Sequence, residues 1–254
     1  MNAVDYIVAD ATLIPPGDDR FYTEKVVRLP GSYLFAPGVR PIAATPSRTS
    51  CDLPTDAFVF CGFNRTQKIT PMFFAIWMRL LRAVRPSVLW LSGDNPLAMR
   101  NLKSAAATQG VDPERVIFAP RLPMAEHLAR HRVADLFLDT LPYNAHTTMV
   151  DALEAGLPAI TCLGKCFAGR GGASLLRAAG LEDLVTATPA AYEAQAHTLA
   201  ADPDVLAAVR QRVQDAKGIA ALFGRDAHVR HLETAYMRMM DLHRAGRAPE
   251  SFSV

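Results

Sequence analysis

The strongest constraint on the fold is a regular alternation of apolar and amphipathic segments that begins at residue 57. Short apolar runs, each long enough for one buried strand, are separated by stretches with helical periodicity. The apolar runs read AFVFCGF, SVLWLS, RVIFAP, DLFLDT, PAITCL and DLVTA. Buried strands that alternate with helices predict a parallel sheet covered on both faces, with right-handed crossovers. The sequence therefore predicts an α/β fold built on a doubly wound, Rossmann-like parallel sheet.

Proline and glycine residues mark the ends of the predicted helices. Pro71 lies in the first turn of the helical segment TPMFFAIWMRLLRAV, where a missing N–H group costs no hydrogen bond. Gly110, Gly156 and Gly180 each follow a helical segment, as expected of residues that adopt the left-handed conformation at helix ends. These signals locate the loops that connect strands and helices.

The segments outside this alternation have a different character. Residues 1–30 contain one short apolar run, DYIVAD, and residues 31–56 are rich in Pro, Ser, Thr and Gly without periodicity, which predicts a linker. The end of the chain is helical only, so we divide the sequence into residues 1–56, 57–225 and 226–254. The last helical segment carries an apolar stripe that we expect to pack against the body. Its members are Val229, Leu232, Tyr236, Met239 and Met240.

Composition and charge exclude several classes of protein. Half of the 254 residues are hydrophobic and 20% are charged, which is typical of a globular protein with a core. The net charge of +2 is too small to attract nucleic acid or an anionic membrane. The sequence shows no leader-like start and no transmembrane run, and its four cysteines are too scattered for a disulfide framework. We therefore expect a cytoplasmic protein whose Cys162 and Cys166 are free thiols rather than zinc ligands.

The predicted loops at one edge of the sheet carry basic and hydroxyl side chains. An open parallel sheet binds its ligands beyond the carboxyl ends of the strands, and the loops at that edge contain few acids. They supply Asn64, Arg65, Lys68, His127, Arg130, Asn144, His146, Thr147, Thr148, Lys165 and Arg170. This pattern favours a phosphorylated ligand. The absence of a G-x-x-x-x-G-K-[ST] loop argues against an ATPase, and no G-x-G-x-x-G follows the first strand.

The stretch NAHTT, between a predicted strand and a predicted helix, has two compatible interpretations. Thr147 or Thr148 can act as the helix N-cap, with Asp151 three residues after Thr148 in a pattern that resembles a capping box. Taken alone, this structural interpretation is favoured, because such caps are common. The same helix start also offers N–H groups to an anion, and His146 can donate to a phosphate oxygen. Lys68, in FNRTQKITP, follows another strand end at the same edge.

These motifs, in this order, resemble the C-terminal half of the catalytic region of the O-GlcNAc transferase and SPINDLY family. The matching stretches are FVFCGFNRTQKITP, SVLWLSGDNP, EHLARHRVADLFLDTLPYNAHTTMVDALEAGLPAIT and GKCFAGRGGASLL. The opening residues resemble the last segment of the family's N-terminal lobe, which makes residues 1–56 a remnant of that lobe plus a linker. The resemblance implies a GT-B glycosyltransferase with two lobes around a cleft. Such an enzyme transfers sugar from a nucleotide diphosphate to Ser or Thr of proteins without a metal ion.

The resemblance also assigns roles to single residues. It implies that Lys68 is the catalytic, phosphate-contacting lysine and that His146, Thr147 and Thr148 form the family's His-Thr-Thr turn. His127 corresponds to the histidine that packs against uracil, and Asp151 to the acid that meets the ribose hydroxyls. The other expected nucleotide-sugar contacts are Asn64, Arg65, Leu122 and Arg130. Physically, Lys68 and the helix start would neutralise charge that develops on the departing diphosphate.

Two departures from the family pattern leave the donor open. Arg65 stands where the family usually has Gln or Asn, and Met124 stands where animal members have a lysine that contacts the ribose. UDP-GlcNAc is the expected donor, with GDP-fucose as the alternative, and no cofactor is expected. Two further hypotheses stay open: a non-catalytic nucleotide-sugar-binding or interaction module, and a GT-B enzyme that acts on a small acceptor.

Most of the family's N-terminal lobe and its tetratricopeptide repeats have no counterpart in this sequence. We therefore expect the chain to bind a nucleotide diphosphate but to transfer sugar poorly or not at all by itself. The expected partners are the nucleotide-sugar donor, a protein acceptor, and a separate N-terminal catalytic lobe or repeat-containing protein. Nucleic acid and membranes are not expected partners.

Overall fold

The computed structural model describes residues 4–36 and 40–254, so residues 1–3 and 37–39 of the predicted N-terminal segment lie outside the described residues. The strands are β1 (Tyr6–Ala9), β2 (Lys25–Arg28), β3 (Phe58–Gly62), β4 (Ser87–Ser92), β5 (Val116–Ala119), β6 (Leu136–Leu138), β7 (Ala159–Cys162), β8 (Val185–Thr186) and β9 (Phe252–Ser253). The α-helices are α1 (Pro71–Ala83), α2 (Pro96–Thr108), α3 (Met124–Arg130), α4 (Thr147–Ala155), α5 (Gly171–Ala178), α6 (Pro189–Ala201), α7 (Pro203–Ile219) and α8 (Arg225–Arg244).

The larger sheet confirms the predicted doubly wound α/β architecture. Its six strands run parallel in the order β5-β4-β3-β6-β7-β8. The chain builds outward from β3 to β5 and then returns to place β6 beside β3, with Phe60 opposite Leu136. The strand order therefore reverses between β3 and β6. In open parallel sheets this reversal opens a crevice beyond the carboxyl ends of the two strands, where ligands bind.

Buried aromatic side chains fix the helices to this sheet. Trp77 of α1 and Tyr192 of α6 are each no more than 1% exposed. The Trp77 indole N–H donates to the Tyr192 hydroxyl at 3.3 Å, and that hydroxyl donates to the backbone carbonyl of Asp139 at 3.0 Å. Because buried polar groups need partners, this chain of hydrogen bonds ties two helices to the residue that follows β6.

The helix boundaries follow the predicted signals. The side chain of Thr70 accepts a hydrogen bond from the Phe73 N–H at the start of α1, where Pro71 occupies the first helical position. Gly110, Gly156 and Gly180 all have positive φ after their helices, as expected of left-handed helix ends. Within the described ranges, no helix combines the length and the apolar composition needed to cross a bilayer.

A second, smaller sheet joins the two ends of the described chain. Its three parallel strands have the order β1-β2-β9, and Val27 of β2 lies opposite Phe252 of β9. Val27, Leu29, Ala235 of α8 and Phe252 form a buried cluster on one face of this sheet. Residues 226–254 therefore pack on the N-terminal segment, although the sequence patterns placed these two regions in separate parts of the chain.

The expectation that the whole stripe of α8 packs against the body was wrong for three of its members. Val229, Tyr236 and Met240 are 41%, 54% and 44% exposed, whereas Leu232 and Met239 pack against the cluster on the smaller sheet. The buried positions of the helix are His228, Ala235 and Leu242. Leu232 and Met239 flank these buried positions, so the apolar stripe in the sequence was displaced to one side of the face that packs.

The predicted linker is irregular but closely attached to the body. Its only regular element in the described part is a 3₁₀ turn at Thr49–Cys51. Arg48 donates to the carbonyl groups of Val133 and Ala57 and to the Asp135 carboxylate at 2.7 Å. These contacts of the Arg48 side chain fasten the segment to the residues that precede β3 and β6.

Candidate functional site

A cavity of about 670 Å³ lies beyond the carboxyl ends of β3 and β6, at the reversal of strand order. It is lined by Phe63, Asn64, Arg65, Gln67, Lys68, Thr70, Pro142, Tyr143, His146, Thr147 and Thr148. The prediction that Lys68 and the NAHTT stretch meet at one edge of the sheet is confirmed. None of these lining residues is an acid, so the wall of the cavity is electropositive and suits an anionic ligand.

Lys68 lies on the cavity wall and keeps N–H donors that its bond to the protein does not use. It ends a 3₁₀ turn at Thr66–Lys68, and its Nζ donates to the carbonyl oxygen of Asn144 at 2.8 Å. The same Nζ lies 3.9 Å from the centroid of the Tyr143 ring. Burial lowers the pKa of Lys68, and the nearby Asp139 carboxylate opposes that effect. An ammonium group has three N–H donors, so an anion in the cavity can accept from Lys68 and stabilise its charge.

Asp139, which no sequence pattern singled out, organises the loop after β6. Its buried carboxylate accepts from the N–H groups of Thr140 at 2.7 Å and Ala145 at 2.6 Å, and from the Thr161 hydroxyl at 2.6 Å. Burial raises the pKa of Asp139 to about 7, although these hydrogen bonds and Lys68 act in the opposite direction. The signal in the sequence was an acid directly after the buried run LFL.

One peptide group connects the lysine and the buried carboxylate. The peptide between Asn144 and Ala145 accepts from Lys68 through its carbonyl oxygen and donates to Asp139 through its N–H. Two opposite charges therefore hold this peptide in a fixed orientation. The turn that precedes α4 is ordered by these bonds, and charge-assisted hydrogen bonds of this kind are the stronger ones in proteins.

The threonine N-cap and the capping box expected at α4 are not formed. The N-cap is His146, with φ −116° and ψ −90°, and no side chain accepts from the first turn. Thr147 is the first helical residue, and the Thr148 hydroxyl donates to the Asn64 side-chain oxygen at 2.8 Å. Asp139 orders the turn before α4 by accepting from the Ala145 N–H, which lies outside the helix. The first N–H groups of α4 are left without a side-chain cap at the edge of the cavity.

His146 lines the cavity, but both of its ring nitrogens have protein partners. The Nε2 atom lies 3.3 Å from the Ala168 carbonyl oxygen, which can only accept, so Nε2 donates. The Nδ1 atom therefore accepts from the Tyr33 hydroxyl. Burial lowers the pKa of His146, which favours this neutral ring. A phosphate can take the Nε2 donor only if His146 releases Ala168.

His127 and Asp151 lie beside this cavity rather than on its wall. The His127 ring is 5.5 Å from that of Phe63, and its Nε2 lies 3.8 Å from Asp151 Oδ2. Burial, with the neighbouring Arg130 and Arg40 charges, lowers the pKa of His127 to about 4. At neutral pH His127 is therefore an uncharged ring with a face available for packing.

Two predicted contact residues, one at the end of α3 and one on the loop before it, lie outside the cavity. Arg130 is 4% exposed and donates to His127 Nδ1 at 2.6 Å and to the Pro120 carbonyl oxygen at 2.5 Å, so it lies behind His127. Leu122 is half-buried on the loop before α3. Neither side chain lines the cavity that contains Lys68.

Three further residues of the predicted rim lie away from the cavity wall. Asn144 is fully buried, and Arg170 pairs with Asp18 at 2.9 Å. Lys165 is exposed on the loop after β7. The sequence predicted all three on the rim of the binding site, but none of them lines the cavity.

Arg40, from the irregular segment, was also not selected from the sequence. Its Nη1 donates to Asp151 Oδ1 at 2.6 Å, and its Nε donates to Glu154 Oε2 at 2.8 Å. Arg40 lies in a stretch without periodicity, so no pattern indicated its contact with α4. Among the residues at 4–36 and 40–254, no group of three or more His, Cys, Asp or Glu side chains is arranged to hold a metal ion.

Comparison with known proteins identifies relatives over nearly the whole chain. The model of "Glycosyl transferase family 41" matches residues 37–232. The Arabidopsis thaliana protein described as a probable UDP-N-acetylglucosamine--peptide N-acetylglucosaminyltransferase SEC is 33% identical over 258 residues, covering 99% of this chain and 26% of the relative. The Solanum lycopersicum protein SPINDLY, with the same description, is 30% identical over 257 residues, covering 98% of this chain and 27% of that protein.

Solved structures share the fold. A mutant of the Thermobaculum terrenum O-GlcNAc transferase superposes with a TM-score of 0.83 at 36% identity, covering 94% of this chain and 45% of that chain. WaaG, a glycosyltransferase involved in lipopolysaccharide biosynthesis, superposes with a TM-score of 0.61 at 16% identity, which shows likeness of fold alone. The chain spans about a quarter of the length of the two plant relatives and less than half of the Thermobaculum structure.

Proposed function

The chain belongs to glycosyl transferase family 41, and from this membership we propose that it is the donor-binding lobe of a protein O-glycosyltransferase. The proposed donor is UDP-GlcNAc, and the proposed acceptors are Ser and Thr side chains of proteins. The observation that carries the proposal is the shared cavity, where Lys68 and the uncapped first turn of α4 face each other across a wall without acids. GDP-fucose is the alternative donor.

In the proposed complex the diphosphate lies between Lys68 and the start of α4. Its oxygens accept from Nζ of Lys68 and from the backbone N–H groups at Thr147 and Thr148. His127 offers its ring face to the base, and Asp151 accepts from the ribose hydroxyls. The base and the diphosphate can lie side by side in this arrangement, because Phe63 lines the cavity and its ring also lies next to that of His127.

The proposed reaction exchanges one C–O bond for another without a metal ion. The bond between the anomeric carbon and the diphosphate oxygen breaks, and the hydroxyl oxygen of Ser or Thr bonds to that carbon. The electron pair of the broken bond stays with the diphosphate, whose growing negative charge faces Lys68 and the helix start. Positive groups fixed in advance near developing charge lower the barrier, because no reorganisation is needed during the reaction.

We propose that the acceptor side of the site comes from a second polypeptide region. The lining residues include no carboxylate, and His146 has both ring nitrogens engaged. In the part of the chain that the structure describes, the smaller sheet has three parallel strands, whereas all-parallel sheets are usually covered on both faces. The relatives are also much longer than this chain. A separate N-terminal catalytic lobe or repeat-containing partner would supply the acceptor and the group that removes its proton.

Calorimetry with UDP, GDP, UDP-GlcNAc and GDP-fucose tests the donor site. We expect UDP and UDP-GlcNAc to bind, and Lys68→Ala to weaken binding by about 1.5–3 kcal/mol, because a charged hydrogen bond to phosphate is lost. Lys103→Ala is the matched control, since Lys103 pairs with Glu114 on the exposed side of α2. Failure of every nucleotide to bind, or equal affinities for Lys68→Ala and the wild type, would contradict the proposal.

Transfer to a peptide acceptor separates an enzyme lobe from a binding module. We expect little transfer by the chain alone and an increase when a separately produced N-terminal lobe from a relative is added. Nucleotide binding without transfer under both conditions would favour a non-catalytic module.

A further inference from the structure

Two carboxylates lie one turn apart on the same face of α4, and both are nearly buried. The side chains of Asp151 and Glu154 are 9% and 7% exposed. Like charges at this helical spacing repel each other, and burial adds a desolvation cost for each. Burial raises the pKa of Asp151, with a smaller contribution from Glu154, and the Arg40 charge opposes both effects. The pair therefore needs a cation, and the described structure supplies Arg40.

Arg40 holds Asp151 in one orientation. Its Nη1 donates to Oδ1 of Asp151 at 2.6 Å, while its Nε and Nη2 donate to the Glu154 carboxylate. The guanidinium is planar, so contacts from three of its nitrogens fix both carboxylates relative to it. The second oxygen of Asp151, Oδ2, is turned toward His127, 3.8 Å from Nε2. That oxygen is the one left to accept from a ligand hydroxyl beside the His127 ring.

Arg40 also lies against Met124, the first residue of α3. Its Nη1 is 3.9 Å from the Met124 sulfur, and Met124 is 53% exposed. A thioether offers no charge and only a weak acceptor. The positive charge that pairs with Asp151 therefore comes from Arg40 of the irregular segment, whereas Arg130 of α3 contacts His127 at its Nδ1 atom.

We propose that Arg40 is a positioning residue of the donor site, which fixes the Asp151 carboxylate so that Oδ2 accepts from the ribose hydroxyls. This inference rests on the proposed nucleotide-sugar site. It assigns to Arg40 a role in selecting ribose over deoxyribose, since a fixed carboxylate distinguishes a hydroxyl from a hydrogen better than a mobile one. A deoxy ligand lacks the hydroxyl that donates to Oδ2, so the nearly buried carboxylate loses a partner when that ligand binds.

Calorimetry with UDP and 2′-deoxy-UDP tests this role. We expect the wild type to prefer UDP, and Arg40→Ala to weaken UDP binding about tenfold and to reduce the ratio of the two dissociation constants to that of Asp151→Asn. Met124→Lys added to Arg40→Ala should restore part of the preference, because a lysine there places an ammonium group near Asp151. Should Arg40→Ala fail to fold, Arg40→Gln, which removes the charge but retains a donor, replaces it with the same expectations.

Arg48→Ala distinguishes positioning from attachment of the segment. Arg48 fastens the same segment through Asp135, away from Asp151, so its loss should lower the melting temperature without changing the UDP to 2′-deoxy-UDP ratio. A wild-type ratio in Arg40→Ala would overturn the inference. Lys68→Ala should weaken both nucleotides equally, so loss of the donor site and loss of the Arg40 role give different results. If no nucleotide binds the wild type, the proposed function fails, and the inference fails with it.

Discussion

At the residue scale, two charged groups act on a single peptide. Lys68 donates to the Asn144 carbonyl oxygen, and Asp139 accepts from the Ala145 N–H of the same peptide. A change in either charge therefore alters the turn that leads into α4. The ionisation of Asp139 is the more sensitive of the two, because its pKa is raised to about 7, close to neutral pH.

Asp139→Asn should remove a pH dependence of stability. In the fold the Asp139 pKa is about 7, above the value of about 4 for an unfolded aspartate. Between these values the folded state keeps a proton that the unfolded state has released, so this group stabilises the wild type at low pH and loses that contribution as pH rises. The asparagine can accept from the same N–H groups but does not ionise.

Urea denaturation at several pH values between about 4 and 8 measures this effect. The free energy of unfolding of Asp139→Asn should improve relative to that of the wild type by a few kcal/mol as pH rises through this range. Asp139→Ala, which leaves the N–H groups of Thr140 and Ala145 unsatisfied, should be less stable than Asp139→Asn at every pH. Parallel profiles for Asp139→Asn and the wild type would show that Asp139 ionises at an ordinary pKa.

At the scale of elements, the site depends on how closely α5 approaches β6 and β7. Gly172, in the first turn of α5, lies against the side chains of Asp139 and Thr161. A Cβ atom at this position would clash with Asp139 Oδ2 and would be 2.6 Å from the Thr161 hydroxyl oxygen. Both atoms belong to buried groups that hydrogen-bond to each other, so they have little room to move.

Gly172→Ala should therefore destabilise the protein by about 1–3 kcal/mol through overpacking, despite the better helix propensity of alanine. Gly218→Ala in α7 is the matched control, because an added Cβ there meets nothing within 4 Å. It should leave the stability unchanged or raise it by up to about 1 kcal/mol. Thermal and urea unfolding of both variants provide the measurement, and equal stabilities would mean that α5 can shift away from β6.

The larger sheet could be predicted from the sequence because each of its elements carries its own signal. Apolar runs such as SVLWLS, with Pro71 and Gly156 at helix ends, indicate the order of strands and helices along the chain and their boundaries. The edge that bears Lys68 and the NAHTT turn follows from parallel topology alone. Tyr33 could not be identified in this way, because its contact with His146 joins segments far apart in sequence. Asp139 directly follows the apolar run LFL, but that pattern does not show that its carboxylate is buried. Arg40 had no local pattern at all.

At the scale of the whole molecule, the smaller sheet could not be predicted from sequence patterns. Its strand β9 has two residues, and it pairs with β2 more than 220 positions earlier in the chain. So short a segment has no measurable periodicity. Phe252 of β9 packs against Ala235, so this side of α8 faces the smaller sheet while Tyr236 is exposed.

Phe252→Ala should separate the stability of the smaller sheet from donor binding. The Phe252 ring packs with Val27, Leu29 and Ala235, and its removal should cost about 3–5 kcal/mol. The cavity beside Lys68 includes none of these residues, so UDP affinity should be unchanged at temperatures where the variant is folded. Unfolding curves and calorimetry on the same preparation provide both quantities. A parallel loss of UDP affinity would indicate that the smaller sheet supports the cavity.

Both tryptophans of the chain are linked to the neighbourhood of the cavity, Trp90 through one side chain and Trp77 through two residues. Trp90 packs edge-on against Phe63, which lines the cavity, and Trp77 is hydrogen-bonded through Tyr192 to the backbone of Asp139. Both indoles are shielded from water. We therefore expect a ligand in the cavity to change the emission of these intrinsic fluorophores, so that its binding can be followed optically without attaching a dye.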